Sequence, residues 1–501
     1  MSVRQLFRNV YSQWFMQFIR LVVAFVVTAF VARILGPEGY GIASSIFVFS
    51  SVFSFILDPG FARSLIRYVS VYHGSGRDYY PLLAGYLFYK VFIGSLLALV
   101  FYLLAPYFAQ LVNASNHIFA FQLYALCIFF NSLSSVFMTY LNGVNRIDLA
   151  VLYNTVGFII GEASSLALVL MGFGVIGYVT GFITMSIVVF IIYILKHGGL
   201  LIRLVRIPIG NALSGLRIII PLSLSILATQ ITYYVYTWLD KFIVLGILGT
   251  YGLGIYMVAL RFAGIFENVR SSLGSALMPY YGVVFGANGL DALRGRVFRV
   301  SRLLSATFMP LLMFLASLSM ILIPLIYGDA FANAWGVASA HILYLALMSF
   351  VVGYGGIPVI LEARKELILS SIITSLGSLG LELSLVYVGL GSLGVVVGRD
   401  LAQVLGFMYM YSVLYAKLNL RFDFRSWLRG LLVGFLLFIT SLLIVMNTPV
   451  LWLLSPMVAL LMYVSLAGKL KLICKEDIVL LRSSIPSRFS RIIDLVEEVL
   501  T

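Results

Sequence analysis

The sequence predicts an all-α polytopic membrane protein with about fourteen transmembrane helices. Three observations predict it. Apolar residues fill 62% of the chain and charged residues only 10%, where a soluble domain carries about a quarter charged. The apolar residues come in runs of roughly 20 or more, the length that crosses hydrocarbon as a helix. The cations fall almost entirely in every second gap between those runs, the asymmetry that orients helices in a bilayer.

The runs lie near residues 12–34, 40–66, 81–108, 118–142, 149–171, 175–195, 216–246, 251–280, 300–326, 339–361, 367–388, 392–416, 428–446 and 450–468, here called spans 1 to 14. With the N-terminus inside, the inner gaps collect Arg4 and Arg8, then Arg63, Arg67 and Arg77, then Arg146, then Lys196, Arg203, Arg206 and Arg217. Further inner gaps hold Arg294 to Arg302, Arg364 and Lys365, Lys417 to Arg429, and the cations from Lys469 to Arg491. Most of the 33 Lys and Arg residues are accounted for in this way. One span more or fewer would scramble the alternation, so an even number with both ends in the cytoplasm follows.

The net charge of +14 therefore belongs to membrane orientation and not to nucleic acid. Cys127, in an apolar run, and Cys474, in the tail, are not placed to bridge, and the scattered histidines form no metal pattern. No metal or cofactor is expected. The first apolar run is too long for a signal peptide and lacks a small-x-small cleavage site, so it reads as a retained helix. Asn113-Ala114-Ser115, in an outer loop, matches a glycosylation acceptor pattern, a triplet common by chance. The tail 471–501 mixes Ile, Leu and Val with both signs of charge and reads as an amphipathic helix at the inner surface.

The chain is written twice. Ile34-Leu35-Gly36-Pro37-Glu38-Gly39-Tyr40-Gly41-Ile42 aligns with Ile247-Leu248-Gly249-Thr250-Tyr251-Gly252-Leu253-Gly254-Ile255 at an offset of 213. Gly172, Gly174, Gly177 and Gly181 align with Gly389, Gly391, Gly394 and Gly398 at an offset of 217. Each pair follows the equivalent span of its half, so the two matches support each other. Six spans separate the copies, so both halves point the same way, and a pseudo-two-fold axis along the membrane normal with a shared cavity is expected. The expected divisions are 1–198 (spans 1 to 6), 199–420 (spans 7 to 12), 421–470 (spans 13 and 14) and the tail 471–501. Gly389, Gly391 and Gly394 also satisfy a dinucleotide-binding G-x-G-x-x-G, but no strand precedes them and lipid flanks them. They read as a tight turn.

At Ala32-Arg33-Ile34-Leu35-Gly36-Pro37-Glu38-Gly39-Tyr40-Gly41 and Asp58-Pro59-Gly60-Phe61-Ala62-Arg63-Ser64-Leu65-Ile66-Arg67 the chain resembles the oligosaccharide flippases of the multidrug/oligosaccharidyl-lipid/polysaccharide exporter superfamily. Asp240-Lys241-Phe242-Ile243-Val244-Leu245-Gly246, Met278-Pro279 and Tyr327-Gly328-Asp329 continue the resemblance over roughly residues 5–470. Pro59 stands where the family has leucine, which predicts a kink in span 2. The resemblance implies two six-helix lobes, alternating access and movement of a polyprenyl-pyrophosphate-linked oligosaccharide from the cytoplasmic to the outer leaflet. The expected partners are that lipid-linked anionic glycan, membrane lipid and glycan-assembly enzymes.

Charges within spans cost about 2.5–3.5 kcal/mol each on insertion scales and are functional candidates by default. On span 1, Gln13, Gln17, Arg20, Ala24 and Thr28 share one helical face. Adding 213 to the last four gives Gln230, Tyr233, Thr237 and Lys241 on span 7, so the polar faces of the two copies coincide. Arg261, Gly264, Asn268 and Ser271 make a stripe on span 8, with Glu267 and Arg270 on another side and spaced to pair. Ser371, Ser375, Ser378 and Glu382 make another on span 11. The expected substrate-binding residues are Gln17, Arg20, Gln230, Lys241, Arg261 and Asn268, with Asp58, Asp240 and Glu382 as candidates for ion coupling. Lys90, Glu162, Arg399 and Asp400 read instead as charges that staple helices together, and Arg33 as an interfacial anchor.

Fixed cations suit the task, because a pyrophosphate entering a membrane protein needs its hydration replaced, and arginine does this bidentately. A lipid II-type peptidoglycan precursor flippase would differ mainly in head group. A multidrug or organic-cation exporter of the same fold would need carboxylates to dominate the cavity. A glycosyltransferase or polymerase would need a sizeable outer loop bearing acidic or histidine chemistry. The longest outer loop has roughly a dozen residues and only Asp329, and no D-x-D occurs. No enzymatic activity is expected.

Overall fold

The computed structural model describes residues 3–470 apart from Thr448, together with Leu472. The described residues are helical with no strand among them. In chain order the helices are α1 (Val3–Leu57), α2 (Phe61–Gly74), α3 (Tyr80–Leu111), α4 (Ile118–Gly143), α5 (Ile147–Leu170), α6 (Gly174–Val205) and α7 (Ile209–Tyr327). They continue as α8 (Ala334–Leu347), α9 (Ile357–Ile360), α10 (Arg364–Leu385), α11 (Gly391–Leu418), α12 (Phe424–Asn447) and α13 (Ser455–Lys469). The expected tail helix, apart from Leu472, and the side chains of Arg4 and Arg8 lie outside the described residues.

Among the described residues, 10 helices are long and apolar enough to cross a membrane, or 11 if Ala334–Leu347 and Ser349–Ile360, bent by 49°, make one span. Some of these stretches are far longer than one crossing requires: Ser12–Leu57 has 46 residues, Gln230–Tyr327 has 98 and Arg364–Lys417 has 54. Left-handed glycines interrupt them. Gly36 (φ 66°) breaks α1, Gly249 (φ 68°) and Gly289 (φ 75°) lie within α7, and Gly389 (φ 96°) and Gly391 (φ 53°) separate α10 from α11. Each sits where the sequence places a connection between spans.

Three of the repeated glycines take similar positive φ in both copies. Gly36 and Gly249 differ by only 2° in φ, and Gly172 (φ 89°) and Gly174 (φ 55°) match Gly389 and Gly391. A Cβ on Gly177 would lie 3.0 Å from Cβ of both Leu168 and Phe173, and one on Gly394 would lie 3.0 Å from Cβ of Leu390 and 2.9 Å from the carbonyl of Leu385. Leu385 and Leu390 are Leu168 and Phe173 moved by the same offset of 217. Only glycine supplies these left-handed turns without a steric cost.

Two compact units divide the chain at Met257/Val258. In the first, α3 packs on α4, α5 on α6, and α1 along α5. Its core joins Phe61, Leu65, Val69, Tyr86, Leu87, Ala212 and Ile219. In the second, α10 pairs with α11, and α8 packs on α11. Its aromatic core includes Tyr281, Phe350 and Tyr354, with Met410 and Leu414 beside them. Many large apolar side chains stay exposed, among them Phe92, Leu195, Tyr387 and Leu461, as lipid-facing residues do when hydrocarbon is the solvent.

Candidate functional site

The first unit holds a cavity of about 570 Å³ lined by Ser50, Ser51 and Ser54 of α1, Asp58, Arg63 of α2, Tyr124 of α4, and Gln230, Tyr233, Tyr234 and Trp238 of α7. The local sequence builds its edge. Asp58-Pro59-Gly60 ends α1 at Leu57, and Gly60 takes the left-handed conformation (φ 92°) before α2 begins. The kink expected at Pro59 is thus a complete break. Asp58, two residues before the N-cap Gly60, accepts the Ala62 N–H on Oδ1 at 3.1 Å and so satisfies one of the first-turn donors of α2.

The other oxygen of Asp58 faces α3. The Tyr86 hydroxyl donates to it at 3.3 Å, and Lys90 Nζ lies 3.6 Å away. Lys90 also donates to the Leu57 carbonyl at 3.1 Å and sits 5.1 Å from the centre of the Tyr86 ring. Lys90 is 1% exposed, and its partners are the Asp58 carboxylate and the Leu57 carbonyl. Asp58 keeps about a quarter of its side chain exposed (26%) and presents it to the cavity. Elsewhere in the lining, the Ser51 and Tyr234 hydroxyls are 2.9 Å apart, and Tyr234 packs on Phe55 at 4.8 Å. Arg63 is the exposed cation of the lining.

Of the residues expected from sequence, Asp58 and Gln230 line this cavity, while Arg20 and Lys241 do not. Gln17 is exposed and Arg20 half-buried on α1, with the guanidinium 5.2 Å over the Phe158 ring of α5. Further along the same stripe, Ala24 and Thr28 are buried. Lys241 turns back on its neighbour: Nζ lies 3.0 Å from Asp240 Oδ1 and 2.6 Å from the Thr237 carbonyl, with Trp238 at 5.5 Å. Asp240 is fully buried and accepts the Tyr256 hydroxyl at 2.7 Å. Asp240 and Lys241 therefore form an internal pair.

In the second unit, Arg261 and Asn268 are exposed on α7, and Asn268 donates to the Gly264 carbonyl at 2.7 Å. Glu267 and Arg270 pair bidentately at 3.0 and 3.1 Å, as their spacing predicts. Glu382 is fully buried and accepts the Ser378 hydroxyl of its own stripe. Arg399 and Asp400 hold His341 of α8 between them: His341 Nδ1 is 2.9 Å from Asp400, and Nε2 is 3.3 Å from Arg399 Nη2. A guanidinium only donates, so Nε2 is the acceptor toward Arg399 and Nδ1 is the nitrogen turned to the Asp400 carboxylate. That buried network ties α8 to α11.

Sequence reasoning did not single out Arg63, Trp238, Tyr234 or the serines of α1 as site members. Arg63 was read as an inner-gap cation, and serine and aromatic residues are too frequent in this chain to stand out. The Asp58-Pro59-Gly60 break was the available signal for the cavity edge.

A many-pass helical bundle, with internal glycine turns repeated between its halves and polar side chains lining a cavity among its helices, is similar in fold to solved flippase and multidrug-transporter structures. The solved structure of the lipid II flippase MurJ in an inward closed conformation is similar with a TM-score of 0.69 and 15% identity, over 92% of this chain and 98% of that one. An inward-facing multidrug resistance MATE family transporter is similar with a TM-score of 0.52 and 15% identity, over 79% of this chain and 95% of that one. Residues 30–335 match the polysaccharide biosynthesis protein family, and the chain belongs to that family. Among curated proteins no sequence matches.

Proposed function

We propose that this protein is an alternating-access flippase that moves a polyprenyl-pyrophosphate-linked oligosaccharide from the cytoplasmic to the outer leaflet during polysaccharide assembly. The observation that carries the reading is the cavity of the first unit, where hydroxyls, an amide, aromatic rings and one arginine are gathered inside an otherwise apolar bundle. Serine and tyrosine hydroxyls and Gln230 can replace the water around a sugar, and Trp238 offers an apolar face to a ring. Arg63 is placed to receive phosphate oxygens bidentately. Asp58, already neutralised by Lys90, adds little repulsion against such an anion.

Arg20 is a second cation for the pyrophosphate along its route on α1, and Asp240 and Glu382 are candidates for ion coupling. Fourteen passes with both ends in the cytoplasm are supported by the alternation of cations. Two lobes, 1–198 and 199–420, are supported by the repeated glycines and their similar positive φ. A membrane potential negative inside favours outward movement of an anionic head by about 2.3 kcal/mol per charge per 100 mV. The protein belongs, in this reading, to the cytoplasmic membrane and works beside glycan-assembly enzymes. Depletion tests the function directly: a lipid-linked oligosaccharide should accumulate on the cytoplasmic face. Accumulation of a peptidoglycan precursor instead would assign the lipid II reading, and no accumulation of either would overturn both.

A further inference from the structure

Where α2, α3 and α6 of the first unit end in cations, arginines lie over tyrosine rings. Arg203 of α6 is 4.0 Å over Tyr80 at the start of α3, and Arg77, just after α2, is 5.9 Å over Tyr72. Further rings join these helix ends across the bundle. Tyr79 packs against Tyr80 at 4.7 Å, against His73 of α2 at 5.9 Å and against Tyr140 of α4 at 6.3 Å.

Arg77 and Arg203 are exposed, and neither has a carboxylate partner among the described residues. The acidic residues at these helix ends are engaged otherwise. Asp78 accepts the Tyr80 N–H at 2.9 Å, and Asp148 lies 3.5 Å from Arg146 Nε. A guanidinium over a ring is held there electrostatically and keeps its five N–H donors for another acceptor. In the second unit, Arg364 pairs with Glu362 at 3.3 Å, Arg294 with Asp291, and Lys417 with Glu366. Those cations already have anions, whereas Arg77 and Arg203 have only rings.

We infer that Arg77 and Arg203, with the tyrosines between them, bind the phosphate of an anionic phospholipid in the leaflet they face. That leaflet is the inner one in the ends-inside arrangement. Tyrosines cluster at head-group depth in membrane proteins, and here Tyr79 and Tyr80 are half-buried, with hydroxyls suited to phosphate oxygens. Two cations without carboxylates favour a lipid of net negative charge over a zwitterionic one, which brings a cation of its own. The site is separate from the cavity. Tyr72 lies nine residues beyond Arg63 on α2, about 13 Å along the helix. The bound lipid would tie α2, α3 and α6 together at one end without entering the transport path.

The test compares phosphatidylglycerol with phosphatidylcholine on the full-length protein, by native mass spectrometry from mixed micelles. Wild type should retain phosphatidylglycerol preferentially. Arg203→Gln and Arg77→Gln should each weaken that retention about fivefold, the contribution of one basic residue near an anionic surface. Arg203→Lys should weaken it less. Arg364→Gln, which removes a cation already paired with Glu362, should leave it nearly unchanged. Both first-unit arginines are exposed, so the melting temperature of their variants in phosphatidylcholine should match wild type. Equal retention of the two lipids by wild type would overturn the site. An effect of Arg364→Gln as large as that of Arg203→Gln would also overturn it, by reducing the attraction to diffuse charge. Displacement of the lipid by millimolar sodium pyrophosphate would assign the arginines to a soluble anion instead. Each readout is binding, so a failure here leaves the flippase reading standing, and failed transport leaves this site standing.

Discussion

Gly41 and Gly254 face each other reciprocally across a helix crossing within the first unit. A Cβ on Gly41 would fall 1.8 Å from the Thr250 carbonyl oxygen, and a Cβ on Gly254 would fall 2.0 Å from that of Pro37. Pro37 and Thr250 are themselves equivalent in the repeat, so each copy offers the same glycine to the same carbonyl of the other. Beside the crossing, Thr250 donates its hydroxyl to Glu38.

This crossing cannot admit a side chain. Gly41→Val or Gly254→Val should separate the helices, lowering the melting temperature or trapping another conformation, with transport lost in either case. Gly246→Ala is the contrast: nothing lies within 4 Å of its Cβ position. Alanine there should be neutral or stabilising by about 0.5–1 kcal/mol. Wild-type melting and flux in both valine variants would refute the crossing.

Lys90 and Asp58 should behave as a pair. Lys90→Met strands a carboxylate and the Leu57 carbonyl, and breaking a buried pair from one side costs about 3–5 kcal/mol. The partial exposure of Asp58 puts this case at the lower end or below. Adding Asp58→Asn should recover part of the loss, as a double-mutant cycle of thermal stability would record. Additive losses would mean that the two side chains act independently.

The geometry separates the cations by role. Arg63→Ala should nearly abolish flux of a lipid-linked glycan while leaving stability unchanged, because Arg63 is exposed to the cavity. Arg63→Lys, which keeps charge but loses the bidentate fork, should retain partial activity, and Arg20→Ala should also reduce flux. Lys241→Ala should instead destabilise the protein, with repair by Asp240→Asn. Full flux in a well-folded Arg63→Ala protein would remove Arg63 from the site, and full flux in Lys241→Ala without loss of stability would remove the internal pair.

Topology has its own check. In a cysteine-free background, cysteines at Ser115 and Gly391 should react with an impermeant thiol reagent from outside. Cysteines at Ser75 and Ser214 should react only after permeabilisation. Labelling of either inner site in intact cells would break the ends-inside arrangement.

Features set by near neighbours in the chain were legible in the sequence. Asp58-Pro59-Gly60 announced the break, the repeated glycines announced the left-handed turns, and the i,i+3 spacing of Glu267 and Arg270 announced their pair. Partnerships between helices were not. Lys90 was recognised as a charge that staples helices, but nothing local says that its partner is Asp58. Likewise, the separation of His341 from Asp400 along the chain hides their contact. Lys241 shows another limit. Its helical position fixes where Cα points, yet four methylenes let the ammonium fold onto the preceding carboxylate. The equivalence of its face with that of Arg20 therefore did not give the two side chains equivalent surroundings.

The glycine at the Gly36 turn also bears on how the protein is made. A turn that needs only a left-handed glycine leaves almost no polar chain between two apolar helices. Spans 1 and 2 are thereby suited to enter the membrane together as a hairpin, with little backbone to drag through hydrocarbon. The same economy recurs at Gly249 for spans 7 and 8. A polar insertion at either glycine would load that cost onto biogenesis, and the damage would fall on the yield of integrated protein before any substrate is met.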